Sequence, residues 1–144
     1  MGNGWRANAD GFRSGKSALR EIDLFDVSRQ RTQQGGQAEI PAELPETQLT
    51  ARQIARLHRA ESMLLHSTDE ALAQARWDEQ VRGQNIPIVL GTSAAAMPFG
   101  ENYYKSAIAT PGSRRGQATR VHHYQPQRQA SLLADAFGIQ GPVT

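Results

Sequence analysis

The sequence predicts an incomplete α/β domain that occupies the whole chain, residues 1–144. Three observations support this fold class: a long amphipathic helix at 50–76, an apolar β-branched run at 86–91, and a second amphipathic helix at 125–137 that leads into the start of another strand. Two strands cannot enclose the core that a parallel βα arrangement needs. The pattern therefore predicts part of a layered α/β fold rather than a complete one.

The helix at 50–76 carries the best local signal in the chain. Thr50 and Gln53 have the spacing of a capping box, and Leu49 with Ile54 has the spacing of a hydrophobic staple. Apolar residues then recur at helical intervals as far as Trp77. The apolar stripe is narrow, so we expect this helix to lie against a larger surface.

The run IPIVLG at 86–91 predicts a strand buried on both faces, as parallel sheets require. The helix at 125–137 places Ala130, Leu133, Ala134 and Phe137 on one face and ends at Gly138. Residues 139–144 then predict a turn that leads into a second strand.

The remaining segments give weaker signals. Trp5 and Phe12 are seven residues apart, which predicts a short helix with both rings on one face and a stop at Gly15. Residues 23–48 are predicted to be irregular because glycine and proline break any period. Residues 92–100 are small and polar, and 101–108 predict a weak helix.

Composition excludes several functional classes. The chain has no cysteine, so these residues offer no disulfide, thiolate metal ligand or cysteine nucleophile. The net charge is +2 and the arginines are scattered from Arg6 to Arg128, so the sequence predicts no nucleic-acid partner. Without a signal-like start or an apolar run of about 18 residues, we predict a cytoplasmic chain that meets no membrane.

Neither metal nor hydrolase chemistry is well supported. His58, Glu61 and His66 could share one side of a helix, but no second segment offers matching ligands, so we expect no metal site. Ser93 follows the predicted strand as a nucleophile would. The G-x-S-x-G pattern fails at Ala95, where close backbone approach needs glycine.

Three stretches, in order along the chain, carry a resemblance to a known family. They are FDVSRQR at 25–31, then VLGTS at 89–93 with Met97, Gly100, Glu101, Tyr103 and Tyr104, and finally FGIQGPVT at 137–144. Together they resemble the amino-terminal part of a β-ketoacyl synthase, the condensing enzyme of fatty-acid and polyketide assembly.

The resemblance implies a thiolase-like fold and a Claisen condensation. In such an enzyme a cysteine takes the acyl group from an acyl carrier protein as a thioester, and two histidines stabilise the oxyanions when a decarboxylated malonyl unit attacks. The resemblance implies no cofactor, and it implies a dimer in the full-length enzyme. It places Met97, Phe99 and Gly100 beside the acyl pocket as substrate-binding residues.

The resemblance also predicts a truncated and inactive piece. The family's opening strand precedes the glycine that Gly2 or Gly4 resembles, and its cysteine follows the strand that Gly141 and Pro142 introduce. None of the four histidines matches a catalytic one, so no catalytic residue is assigned. Ala94, Ala95 and Ala96 stand where the family usually has one or two glycines, which predicts a strained turn before the pocket.

Two other hypotheses stay open. The chain could be a non-catalytic partner that binds a full-length synthase or an acyl carrier protein, or a small helical binding protein built on residues 50–76. The apolar fraction is 38%, and a sheet with most strands absent would leave helix faces in water. We therefore expect a partly ordered, association-prone chain whose best-formed element is the helix at 50–76.

Overall fold

The computed structural model describes residues 2–76, 84–92, 97–110, 112, 125 and 127–144. The chain divides into two compact units, Met1–Glu43 and Leu44–Thr144. The described part combines five α-helices with a small two-stranded sheet. This mixture agrees with the predicted partial α/β domain. None of the helices in the described ranges could span a lipid bilayer.

The first unit begins with helix α1, Trp5–Arg13. The helix ends where the sequence predicts, at Gly15, whose φ of 67° is left-handed. There the N–H of Gly15 donates to the Phe12 carbonyl oxygen and the N–H of Lys16 donates to that of Gly11, which is the Schellman arrangement. The Trp5 and Phe12 side chains are exposed.

A short antiparallel pair completes this unit and corrects the prediction of an irregular segment at 23–48. Strand β1, Leu19–Glu21, pairs with strand β2, Gln34–Gly36, so that Leu19 lies opposite Gly36 and Glu21 opposite Gln34. Sequence patterning misses β2 because its residues have no apolar alternation and two of the three are glycines. Backbone hydrogen bonds to β1 define the strand.

The second unit contains two helices where the sequence predicts a single helix at 50–76. Helix α2 covers Ala51–Ile54 and helix α3 covers Arg59–Gln74. The predicted Thr50–Gln53 capping box is present, but a second box begins α3, in which the His58 side chain accepts from the Glu61 N–H and the Glu61 carboxylate accepts from the His58 N–H. Apolar residues keep their helical spacing across the break between α2 and α3, so this spacing does not reveal the break.

Two further helices follow. Helix α4, Met97–Ala109, begins four residues before the weak helix predicted at 101–108. Helix α5, Gln127–Phe137, lies within the predicted range 125–137 and ends at Gly138, whose φ is 66°. Trp77, to which the predicted helical pattern extends, lies outside the described residues.

The core of this unit lies between α3 and α5, which pack against each other. Its buried side chains are Leu49, Leu65, Leu132, Leu133, Ala136 and Phe137. Half-buried apolar side chains from Leu57, Leu64, Ile88 and Ile139 pack around this cluster. The apolar face predicted for α5 is confirmed, with Ala134 half-buried and the other three side chains buried. Ile54 of the stripe predicted at 50–76 is exposed.

Candidate functional site

The feature that positions a site is a parallel pairing of two extended segments. Ile88 bridges Val143 in the parallel sense. The Ile88 N–H donates to the Pro142 carbonyl oxygen at 2.9 Å, and the Thr144 N–H donates to the Ile88 carbonyl oxygen at 3.0 Å. The Leu90 N–H in turn donates to the Thr144 carbonyl oxygen at 3.0 Å. The strand predicted at 86–91 is therefore present as a short parallel pairing with the segment predicted at the end of the chain.

The expectation that this strand is buried on both faces is wrong. Ile88 packs on the α3–α5 core, whereas the Val89 side chain is 81% exposed. Successive side chains of an extended segment point to opposite faces, so the described core covers one face only.

The carboxyl ends of the two segments share one edge because the pairing is parallel. Gly91 and Thr92 follow Leu90 there, and Thr144 lies beside them on the other segment. Open α/β sheets bind their ligands outside the carboxyl ends of parallel strands. This edge is the candidate site.

Gly141 permits the pairing because it has no side chain. A Cβ built at Gly141 would overlap the carbonyl group of Ile86. Pro142 follows, and its carbonyl oxygen accepts the first hydrogen bond of the pair. Only glycine allows two backbones to approach this closely. The sequence identifies the Gly141–Pro142 turn but not its contact with Ile86.

Helix α5 connects the core to this pairing. The Ile139 N–H donates to the Ala134 carbonyl oxygen at 3.1 Å, which closes the helix at Gly138. The Gln48 N–H donates to the Ala136 carbonyl oxygen at 2.9 Å. A Cβ built at Gly138 would lie 2.9 Å from the Gln48 side-chain nitrogen. The hydrogen bond at the end of α5 and the contacts with Gln48 thus fix the start of the segment that leads to Thr144, before that segment pairs with the strand at Ile88.

The three predicted substrate-binding residues lie in the first turn of α4. Met97 is 54% exposed, and Phe99 and Gly100 are half-buried. Helical structure therefore begins at Met97, inside the stretch 92–100 that is small and polar in sequence. Residues 93–96 lie outside the described residues, and with them the predicted turn at the three alanines and the position of Ser93. The contact of Met97, Phe99 and Gly100 with an acyl pocket stays a prediction.

The histidines of the described ranges, His58 and His66, belong to helix α3 and its N-cap. His58 caps α3, where its Nε2 lies 3.5 Å from the Glu61 carboxylate, and Glu61 is buried. Among the described residues, the buried Nε2 of His66 has no hydrogen-bond partner. No group of three or more histidine, aspartate or glutamate side chains in the described ranges could hold a metal ion. His122 and His123 lie outside these ranges.

Asp26, in the first of the three family-like stretches, has a perturbed carboxyl. The Ser28 backbone N–H donates to Asp26 Oδ1 at 2.9 Å. Hydrogen bonds from the backbone and the side chain of Ser28 lower the pKa of Asp26 below its ordinary 3.8. Asp26 is fully exposed, and we interpret this arrangement as a turn rather than a catalytic acid.

Comparison with known proteins defines the class. The family model of the β-ketoacyl synthase N-terminal domain matches residues 1–144, so the chain belongs to the β-ketoacyl synthase family. A relative, the granaticin polyketide putative β-ketoacyl synthase 1 of Streptomyces violaceoruber, is 26% identical over 151 residues that cover 99% of this chain. The chain spans 35% of the length of that relative. No solved structure matches the chain with statistical significance. The resemblance found in the sequence is thereby confirmed at the level of the family.

Proposed function

We propose that these residues form the amino-terminal segment of a β-ketoacyl synthase of polyketide assembly and supply its scaffold rather than its nucleophile. The observation that carries the proposal is the parallel pairing of Ile88 with Val143. This pairing presents Thr144 at the carboxyl edge beside Gly91 and Thr92, where an α/β fold places its reacting groups. The family and the granaticin relative support the reaction class.

The condensation requires a nucleophilic thiol, which the 144 residues lack. A thiolate attacks the acyl thioester carbonyl and releases the carrier thiol; the malonyl unit then loses carbon dioxide to give an enolate. The enolate attacks the new thioester and releases the thiolate. The sequence contains no cysteine, so the nucleophile belongs to other residues. The contribution proposed for this chain is the edge that positions those residues.

The proposed contribution to substrate binding comes from the start of α4. Met97 and Phe99 are apolar, and Gly100 has no side chain. In this proposal they form part of the pocket wall, and the acyl group arrives on an acyl carrier protein. Polyketide rather than fatty-acid assembly is favoured by the granaticin relative.

The test uses the purified 144-residue chain with acyl and malonyl carrier proteins. Intact-protein mass spectrometry detects an acyl adduct on the chain, and chromatography of released products detects condensation. We expect neither, because no thiol is present. An acyl adduct or a condensed product would refute the assignment of a scaffold role.

A second candidate function is that of a non-catalytic partner of a synthase or carrier protein. Two observations favour this function: residues of the chain itself form a core between α3 and α5, and the chain contains no cysteine. Co-expression with a full-length synthase distinguishes the two. A stoichiometric complex that survives gel filtration supports the partner function, and its absence supports the scaffold function.

A further inference from the structure

Helix α1 is an amphipathic helix whose aromatic side is exposed to solvent. Trp5 and Phe12 lie two turns apart on one side of the helix, and the two residues are 51% and 72% exposed. Among the described helices of nine residues or more, α1 separates its apolar and polar side chains most strongly. Two large aromatic side chains on one exposed helix face are typical of a binding surface.

The rest of the first unit contacts a different side of α1. Gly11 is buried and Asn8 is half-buried. Asn8 also lines a cavity together with Leu19 of β1 and Gly36 of β2, so this side of the helix faces the two-stranded sheet. The aromatic side lies about a quarter of a turn away from it. The exposure of the aromatic residues is therefore not a consequence of a helix that packs on nothing.

Arginines follow one flank of the aromatic side. Arg6 and Arg13 each come one residue after an aromatic residue, so both lie on the same flank of α1. The Arg6 guanidinium carbon lies 5.4 Å from the centre of the Trp5 ring, which keeps this charge beside the aromatic side. Residues 2–20 contain four basic side chains and one acidic side chain, Asp10, which binds Arg13 at 3.0 Å. The surface thus combines aromatic rings with positive charge.

We propose that α1 binds the surface of a bilayer that contains anionic lipids, with the helix axis parallel to the membrane plane. Trp5 and Phe12 enter the boundary between headgroups and acyl chains, while Arg6 and Arg13 contact lipid phosphates. Tryptophan is enriched at this depth, and the guanidinium group binds phosphate through paired N–H donors. An acidic protein surface would match the charges alone, whereas an anionic bilayer matches both the charges and the rings.

This proposal departs from the sequence-based expectation that the chain meets no membrane. That expectation depends on the lack of a segment long enough to span a bilayer, and a helix that lies in the interface needs no such length. One short helix with two aromatic anchors gives weak and reversible binding. Membrane binding needs no condensing activity, so its failure leaves the proposed function intact.

The test is co-sedimentation of the full 144-residue chain with lipid vesicles at millimolar lipid concentration. We expect binding to vesicles of phosphatidylserine and phosphatidylcholine, and much weaker binding to vesicles of phosphatidylcholine alone, because basic side chains are attracted to anionic headgroups. Binding to the anionic vesicles should fall at about 1 M salt, where the Debye length is about 3 Å.

A pair of phenylalanine variants tests the aromatic anchor. Phe12→Ala should weaken binding to anionic vesicles about tenfold, because it removes one of the two inserted rings. Phe25→Ala is the matched control in the same unit. Phe25 is 63% exposed, but it stands between Asp23 and Asp26 in the sequence, and an anionic surface repels these carboxylates. The control variant should bind as the wild-type chain does.

A pair of arginine variants tests the positive flank. Arg6→Gln should weaken binding to anionic vesicles about fivefold, since one basic side chain near the surface is lost. Arg31→Gln, at an exposed arginine outside α1, should change binding less than about twofold. Neither substitution should alter binding to phosphatidylcholine alone.

Tryptophan fluorescence locates the bound surface. Trp77→Phe leaves Trp5 as the only tryptophan of the chain. With anionic vesicles, the emission of Trp5 should move to shorter wavelength and should be quenched by lipids brominated on their acyl chains, because the ring leaves water.

Three results would overturn the proposal. One is a chain that binds anionic vesicles no better than phosphatidylcholine vesicles. Another is an equal loss of binding in Phe12→Ala and Phe25→Ala, which indicates adsorption that does not depend on α1. The third is Trp5 emission that responds to an acyl carrier protein but not to anionic vesicles, which assigns the aromatic side to a protein partner.

Discussion

At the scale of single residues, Gly141 controls the pairing that defines the candidate site. Gly141→Ala forces a methyl group against the Ile86 carbonyl and should destabilise the second unit by about 1–3 kcal/mol. Amide hydrogen exchange at Ile88, Leu90 and Thr144 should accelerate, because these N–H groups make the parallel bonds. Gly91→Ala is the matched control, since a Cβ there meets nothing within 4 Å. Equal protection in both variants would show that Gly141 does not limit the pairing.

Asp26 gives a prediction on pH. Its pKa is lowered in the folded chain by the hydrogen bonds from Ser28, so the turn gains stability that is present above about the ordinary 3.8 and is lost as pH falls through the lowered value. The Ser28 amide chemical shift, followed by NMR, should titrate with a midpoint below 3.8. Asp26→Asn should abolish the titration. A midpoint at or above 3.8 in the wild-type chain contradicts the hydrogen-bonded turn.

At the scale of elements, the break between α2 and α3 depends on its second capping box. His58→Ala removes the acceptor for the Glu61 N–H and should cost about 1 kcal/mol of stability. His58→Asn, which restores a good cap, should recover most of that loss. Urea titration of the helical circular dichroism measures both variants. A gain of helix in His58→Ala would mean that the chain prefers the continuous helix that periodicity predicts.

The same elements show which features of the sequence are informative. The Thr50–Gln53 box, the glycine stops of α1 and α5 and the apolar face of α5 are local signals, and the structure confirms them. The start of α3 is missed because histidine is an uncommon cap, and β2 is missed because its pairing comes from a distant segment. Local patterns do not encode long-range backbone pairing.

The candidate site was predictable only in part, because its strands are local features of the sequence and their pairing is not. The sequence places a strand before Gly91 and another after Pro142, and the structure pairs them through Ile88 and Val143. The contact of Gly141 with Ile86 needs three-dimensional information, since the two residues are 55 positions apart. The assignment of Met97, Phe99 and Gly100 to an acyl pocket remains a prediction from the family.

At the scale of the whole molecule, stability of the second unit depends on the core that the structure describes between α3 and α5. Leu132 is 1% exposed between α3 and α5, so Leu132→Ala should cost about 2–5 kcal/mol. Val89→Ala, at a side chain that is 81% exposed, should change stability by less than about 0.5 kcal/mol. Chemical denaturation followed by circular dichroism compares them. Similar losses in the two variants would contradict the location of the core.

Cooperativity of unfolding is also a property of the whole chain. The chain divides into two units, and within the described residues the core cluster of the second contains six buried side chains. Such a small core should give a broad thermal transition rather than a sharp one, because few interactions couple the elements. Differential scanning calorimetry measures the width. A single sharp two-state transition would contradict the expectation of a partly ordered chain.

The central claim is that these residues position a nucleophile that they do not contain. The most direct measurement is to read the coding sequence beyond Thr144. Because the chain belongs to the β-ketoacyl synthase family, we expect a cysteine codon soon after Thr144, in the same frame or one frameshift away. A stop codon with no synthase-like sequence beyond it would contradict the scaffold role and leave the non-catalytic partner as the better account.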